Sequence, residues 1–340
     1  MTRSDRELAL FGRIVKALAF IAFMTVMKIR IAVRSSPEPF VRWLRSQPDP
    51  GLIPPSHIAE YEKRIRKAAD VTYPSDYRAN TLDIYWPAGG EDKLPTILWV
   101  HGGAFVAGDK AGTASWCAVM ASQGYTVVSM NYETAPEARY PVPVLQMAEV
   151  VRYLTGATGS YPILDLGRLI IGGDSAGAQI ASQFTAIQTN PELARLTGIQ
   201  PSVSPGSLKA MLLYCGPYQV KRLANVQDRT VRFFMHQIGW AYIGERKWRD
   251  SVHAQHASTA DYVTDRFPPA FITDGNTGSF ETHGKELEER LRALGVPVAS
   301  LFFPLAEGVV NHEYQFQLDT PEAAVCLDKT LAFLAECLDD

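Results

Sequence analysis

Several features that would narrow a function quickly are scarce or missing in this chain. Cysteine is rare: Cys117, Cys215, Cys326 and Cys337 are the only four in 340 residues, and they are scattered in mostly apolar surroundings. That excludes a disulfide-built scaffold and a paired Cys-x-x-Cys zinc module, and it fits a reduced, cytoplasmic-type protein. Charge of one sign is lacking too. The 33 basic and 36 acidic residues leave a net charge of −3 with no long basic tract, so the composition offers nothing to nucleic acid. There is no P-loop, no internal repeat and no long low-complexity segment. The apolar stretch Ala17 to Met27 is only eleven residues long and is bracketed by Lys16 and Lys28. As a helix it measures about 16 Å, short of a ~30 Å hydrocarbon core. Three readings stay open for it. It is a helix buried under a cap, a peripheral membrane-contacting helix (an all-round apolar helix must be covered by something), or a signal or anchor that lacks a small-residue cleavage site.

What is present is the composition of a globular domain, 46% apolar and 20% charged. Apolar runs recur at Thr81–Tyr85, Thr96–Val100, Thr126–Met130, Leu169–Gly172, Ala210–Tyr214, Ala270–Thr273 and Ala299–Phe303, and read as strands. Helical patterns lie between or after them at Val144–Leu154, Gln179–Thr189, Thr282–Leu294 and Ala323–Leu338. Strand alternating with helix predicts an α/β fold with a mostly parallel central sheet flanked by helices. Ile58 to Ala69 is charged and reads as helical. The Pro-rich stretch Ser46 to Pro55 reads as a linker. This divides the chain into an N-terminal helical region, 1–65, and a main domain, 66–340, with an insertion around 216–260. The aromatic helix in that insertion, Thr230 to Trp240, reads either as core or as a cap whose Phe233, Phe234 and Trp240 line an apolar pocket.

Three motifs carry chemistry, in chain order. His101-Gly102-Gly103-Ala104-Phe105 follows the strand ending at Val100. A glycine-rich loop there offers backbone N–H groups to a developing oxyanion, with Gly102 and Gly103 as the donors. Gly173-Asp174-Ser175-Ala176-Gly177 follows Leu169-Ile170-Ile171 and precedes a small-residue helix. A serine nucleophile needs such a sharp strand-to-helix turn, and Ala176 would add a third amide to the oxyanion hole. His312 lies in the loop after the last strand, downstream of the serine, where an imidazole can act as the base. The other six histidines lack that placement. His101 reads as structural, and His253-x-x-His256 has no further ligands near it in sequence to make a metal site.

These residues, together with Asn131-Tyr132 through Ala135-Pro136-Glu137 and Tyr140-Pro141, resemble the α/β-hydrolase superfamily and, within it, the hormone-sensitive-lipase-like carboxylesterases. The resemblance runs from about Val71 to the C-terminus. It implies hydrolysis of short- to medium-chain acyl or aryl esters by a Ser–His–acid triad, with cap helices over the site. It implies a small-molecule ester substrate and neither a cofactor nor a metal. One departure concerns the acid. Alignment on the following helix puts Gly278 where the family has its aspartate. Glu281, one helical turn on, is the favoured acid, and Asp274 at the strand end is the alternative. The missing acid at Gly278 also keeps open a non-catalytic small-molecule-binding protein on the same scaffold. An amide, lactone or carbamate hydrolase with the same triad is a third reading. A homodimer and membrane association stay open.

Overall fold

In the computed structural model the described residues are 35–47, 54–89, 92–204 and 206–339. The chain divides into two units, Met1–Pro48 and Asp49–Asp340. The apolar run at 17–27 lies outside the described residues. In the first unit the described part is helix α1 (Glu38–Arg45), with an acid in its first turn and arginines in its last, as the helix dipole favours. No helix among the described residues is long and apolar enough to cross a membrane.

The second unit is built on eight strands: β1 (Ile65–Thr72), β2 (Thr81–Pro87), β3 (Leu94–Val100), β4 (Thr126–Met130), β5 (Leu164–Asp174), β6 (Leu208–Tyr214), β7 (Ala270–Asp274) and β8 (Val298–Phe302). They form one sheet in the order β1-β2-β4-β3-β5-β6-β7-β8. The pairs β1/β2 and β2/β4 are antiparallel, and every pair from β4/β3 onward is parallel. Strands β4 and β7 are buried along their whole length, as parallel strands covered on both faces must be.

The expected helix over Ile58–Ala69 is corrected. Helix α2 covers only Ile58–Glu62, and Ile65–Thr72 is the edge strand β1, paired from Ile65↔Pro87 to Thr72↔Thr81. Its charges are those of an exposed sheet edge, which they protect from pairing with other chains. A bulge between Ala68 and Val71 turns Asp70 to a left-handed φ of 53°, and its amide donates to the buried Asp83 at 2.9 Å. Lys67 and Lys110 each approach the Asp83 carboxylate at 2.7 Å, which holds it below its ordinary range despite burial.

Further helices are α3 (Ala114–Ser122), α4 (Val142–Ala157), α5 (Ala176–Thr189), α6 (Pro191–Thr197), α7 (Arg229–Ile243), α8 (Val252–His256), α9 (Glu281–Ala293) and α10 (Pro321–Asp339). On one face of the sheet, Trp116 of α3 and Phe333 of α10 pack with Trp99, Tyr214 and Phe271 in a single apolar cluster. The rings of Trp99 and Trp116 are 4.0 Å apart, and each such buried side chain contributes about 1.5–3 kcal/mol. Helices α4, α5 and α9 cover the opposite face. Helix α5 is buried from Ala176 through Ile187, so its polar groups must be satisfied internally. Gln179 donates to the Ala257 carbonyl at 2.8 Å, and Gln183 joins Tyr140 and Thr259. This packing fixes the helix that leaves Ser175.

Candidate active site

Ser175 stands between β5 and α5 with φ 51° and ψ −118°, a conformation that L-residues rarely adopt. The strain turns its side chain away from both elements and leaves it at the N-terminal end of α5. The turn closes because Gly177 lacks a side chain: a Cβ there would stand 2.0 Å from the Val100 carbonyl oxygen. The Ser175 amide is tied to the Tyr214 carbonyl at 2.8 Å.

His312 reaches the serine from the loop after β8. Its Nε2 lies 3.0 Å from Ser175 Oγ, and its Nδ1 lies 3.3 Å from Asp274 Oδ1. The loop is held to the end of β7 by backbone bonds: Asn276 and Thr277 donate to the Val310 carbonyl, and the His312 amide donates to Thr277 at 3.1 Å. Asp274 is fixed by two more donors, the amides of Gly275 at 2.8 Å and Phe280 at 2.7 Å. Burial opposes protonation of His312, but the Asp274 hydrogen bond and the charges of Asp274, Glu313 and Asp174 outweigh it and raise its pKa above the ordinary 6.5. The carboxylate against the ring is Asp274, the alternative, and not Glu281, the favoured one. Glu281 opens α9 and pairs with Lys285 at 2.6 Å, and its polar contacts do not include His312. Gly278 sits in an open turn at φ 62°.

The loop after β3 lies beside the serine because Val100 pairs with Gly173. Its backbone is strained. Gly103 has φ 119°, where a Cβ would meet the Ala107 oxygen at 2.1 Å, and Ala104 and Phe105 follow with φ of 54° and 63°. His101 is buried, accepts a stack from Tyr132 at 4.5 Å and contacts the Gly102 carbonyl at 2.6 Å. Burial holds its pKa down, as for a neutral structural histidine. Of the expected oxyanion donors, Gly102 is occupied: its amide donates to Asp174 Oδ2 at 2.7 Å. The amides of Gly103, Ala104 and Ala176 have no acceptor among the described residues, the last because a first helical N–H has none within its helix.

A family model named BD-FAE matches residues 82–285, more than half of the chain. The chain belongs to the BD-FAE family. Its residues are 30% identical over 226 positions to Esterase LipI of Mycobacterium tuberculosis, covering 63% of this chain and 66% of LipI. They are 28% identical over 263 positions to Carboxylesterase NlhH of the same organism, covering 75% and 77%. The chain spans about half to two thirds of the length of the first curated relatives it matches. The crystal structure of an inhibited Esterase B from Lactobacillus rhamnosis superposes with a TM-score of 0.70 at 22% identity, covering 84% of this chain and 93% of that one. The fold is that of the α/β-hydrolase esterases.

Two polar residues of this BD-FAE family member escaped the sequence reading. Asp174 is buried and accepts from Trp99 Nε1 at 2.9 Å as well as from Gly102, so it pins the glycine-rich loop to the serine turn. Burial and the charge of Glu313 push its carboxyl well above the usual range. Its position directly before the serine was the available signal. Glu313, left-handed at φ 60°, places its carboxylate 3.8 Å from His312 Nε2. Behind the histidine, Cys215 Sγ lies with Asp274 and His312 inside a 4.8 Å group, the one such metal-compatible set among the described residues. Its donors are engaged otherwise: Asp274 accepts two backbone amides and contacts His312, and Cys215 contacts Gln315 at 3.1–3.2 Å. The 216–260 interval carries α7 and α8. Tyr242 of α7 stacks on Phe105 at 3.9 Å, and Trp240 is buried. Phe233 is one of the residues that the cap reading, as against the core reading, placed around an apolar pocket. It is 43% exposed and lines a cavity that includes no triad residue.

Proposed function

We propose that this BD-FAE family member hydrolyses carboxylic esters of short- to medium-chain acyl or aryl type through an acyl-enzyme on Ser175. The observation that carries this reading is the 3.0 Å contact between Ser175 Oγ and His312 Nε2, with Asp274 on the far side of the ring. His312 takes the serine proton as Oγ attacks the ester carbonyl, and the oxygen becomes negative. The amides of Gly103, Ala104 and Ala176 face that charge, while Gly102 holds Asp174. His312 then protonates the leaving alcohol. A water gives a proton to His312 and attacks the acyl-enzyme, and His312 returns that proton to Ser175 Oγ as the acid leaves. Asp274 holds the tautomer and stabilises the imidazolium. No step calls for a cofactor.

Esterase names among the relatives support the ester over an amide, lactone or carbamate. A binding protein without chemistry drew its support from Gly278, and Asp274 removes that support. The test is turnover of p-nitrophenyl esters from acetate to a long acyl chain, with Ser175→Ala beside the native protein. Serine-dependent turnover that falls with chain length is expected. Folded protein with no turnover on any ester would overturn the reading.

A further inference from the structure

Away from the triad, the first two turns of α7 build a second concave site. Arg229, Arg232, Phe233 and His236 meet Ala224 and Arg249 around a cavity of about 370 Å³. A fourth arginine, Arg246, stacks over Trp240 at 5.9 Å and is near enough to act on His236. Four arginines elsewhere, Arg168, Arg222, Arg290 and Arg292, each meet an acid. Here none does among the described residues. The guanidinium of Arg232 donates to the Gln227 carbonyl at 2.5 Å, and that of Arg249 to Asn225 at 3.5 Å. The neighbouring acid, Asp228, spends Oδ1 on the amides of Thr230 and Val231.

This arrangement is unfavourable in the free protein for two reasons. Like charges share one cavity with no acidic side chain paired to them among the described residues, and Arg229 and Arg232 stand in the first turn of a helix, where the dipole favours acids. An anion relieves both. Forked guanidinium groups suit the oxygens of a phosphate or carboxylate in particular. A half-exposed Phe233 in the same wall has no use for a bare ion, but it suits an apolar chain attached to one. The site is also separate from the chemistry. Tyr242, which stacks on the oxyanion loop, is nine residues further along α7, about 13–14 Å of helix.

We propose that this cavity binds the anionic head of an amphiphile, a phosphate or carboxylate whose apolar chain lies on Phe233. The proposal does not depend on the esterase reading. The test uses the full chain and two sources of that chemistry, soluble hexyl phosphate and vesicles of phosphatidylglycerol, with inorganic phosphate and phosphatidylcholine vesicles as their controls. Binding is read by calorimetry, co-sedimentation and the ring proton shift of His236. Hexyl phosphate should bind about tenfold more tightly than inorganic phosphate, move the His236 signal, and lose about tenfold in affinity in the Arg232→Gln/Arg249→Gln double variant. Ester turnover in that variant should stay unchanged. Arginine-dependent co-sedimentation with the anionic vesicles alone assigns a membrane lipid as source, and hexyl phosphate binding without it assigns a soluble ligand. Absence of binding to every anionic probe at millimolar concentration overturns the proposal. So does binding that the double variant leaves undiminished. Should the double variant misfold, Arg232→Gln alone with the His236 shift decides by the same criteria.

Discussion

Asp274→Asn against Glu281→Gln separates the acid that the geometry supports from the one that the sequence favoured. Three donors converge on Asp274: the amides of Gly275 and Phe280, at 2.8 and 2.7 Å, and Nδ1 of His312 at 3.3 Å. An asparagine offers one acceptor oxygen, so at least one donor must face an NH2 group. If that donor is Nδ1–H, the ring is driven to the other tautomer, and Nε2 carries a hydrogen where it must accept the serine proton. Loss of the charge also leaves the imidazolium without its partner. Removing the acid's charge from such a triad lowers kcat by roughly four orders of magnitude, about 5 kcal/mol at 1.36 kcal/mol per decade. If the displaced donor is the Phe280 amide instead, the cost falls on stability, about 1–3 kcal/mol for a buried unsatisfied N–H. Glu281 makes a partly exposed i,i+4 pair with Lys285, worth about 0.3–0.5 kcal/mol, so Glu281→Gln should turn over within about twofold of the native protein. The assay is p-nitrophenyl butyrate kinetics on both variants, each checked for native circular dichroism. A folded Asp274→Asn that keeps more than about a tenth of native kcat would refute the reasoning. A Glu281→Gln loss of equal size would refute it as well.

Further outcomes follow from the same geometry. Glu313→Gln removes one of the charges that raise His312, so the acid limb of the kcat/KM pH profile should move to lower pH while turnover persists; an unmoved or upward limb contradicts this. In stability terms a raised histidine contributes fully below its unfolded pKa near 6.5 and loses that contribution as pH rises through the folded value, so the native protein and Glu313→Gln should differ most in acid and converge in alkali in urea titrations. Gly177→Val drives a side chain into the Val100 carbonyl and should cost about 3 kcal/mol or more, measured by urea unfolding. Lys110→Ala leaves the buried Asp83 with Lys67 as its one remaining cation and should cost about 3 kcal/mol at neutral pH. Asp83 has a lowered pKa, so its contribution is present above its unfolded value near 3.8 and fades as pH falls through the folded one; the Lys110→Ala penalty should fade with it.

Much of this was legible in the residues. The parallel strands announce themselves as short β-branched runs because both of their faces are covered, and Thr126–Met130 matches β4 residue for residue. The serine turn and the glycine-rich loop are legible because their backbone geometry admits few residue types. Strand β1 was not, since its charged residues have no alternating pattern and only pairing with β2 makes them a strand. The sequence pointed to Glu281 over Asp274 because spacing was measured from the start of α9. In space the loop between Asp274 and α9 folds back, with the Phe280 amide on the same carboxylate as that of Gly275. Gly102 was read as an oxyanion donor for a related reason. Its amide is consumed by Asp174, seventy-two positions away, a contact visible only once β3 and β5 lie side by side.

The most direct test of the central claim is mass mapping after reaction with a p-nitrophenyl phosphonate, a reagent that reports the activated serine without presuming the natural ester. One adduct, on the peptide holding Ser175, is predicted for the native protein. The adduct should be absent in Ser175→Ala and formed far more slowly in His312→Ala and Asp274→Asn. An adduct on another residue, or labelling of Ser175 that is indifferent to His312 and Asp274, would contradict the account.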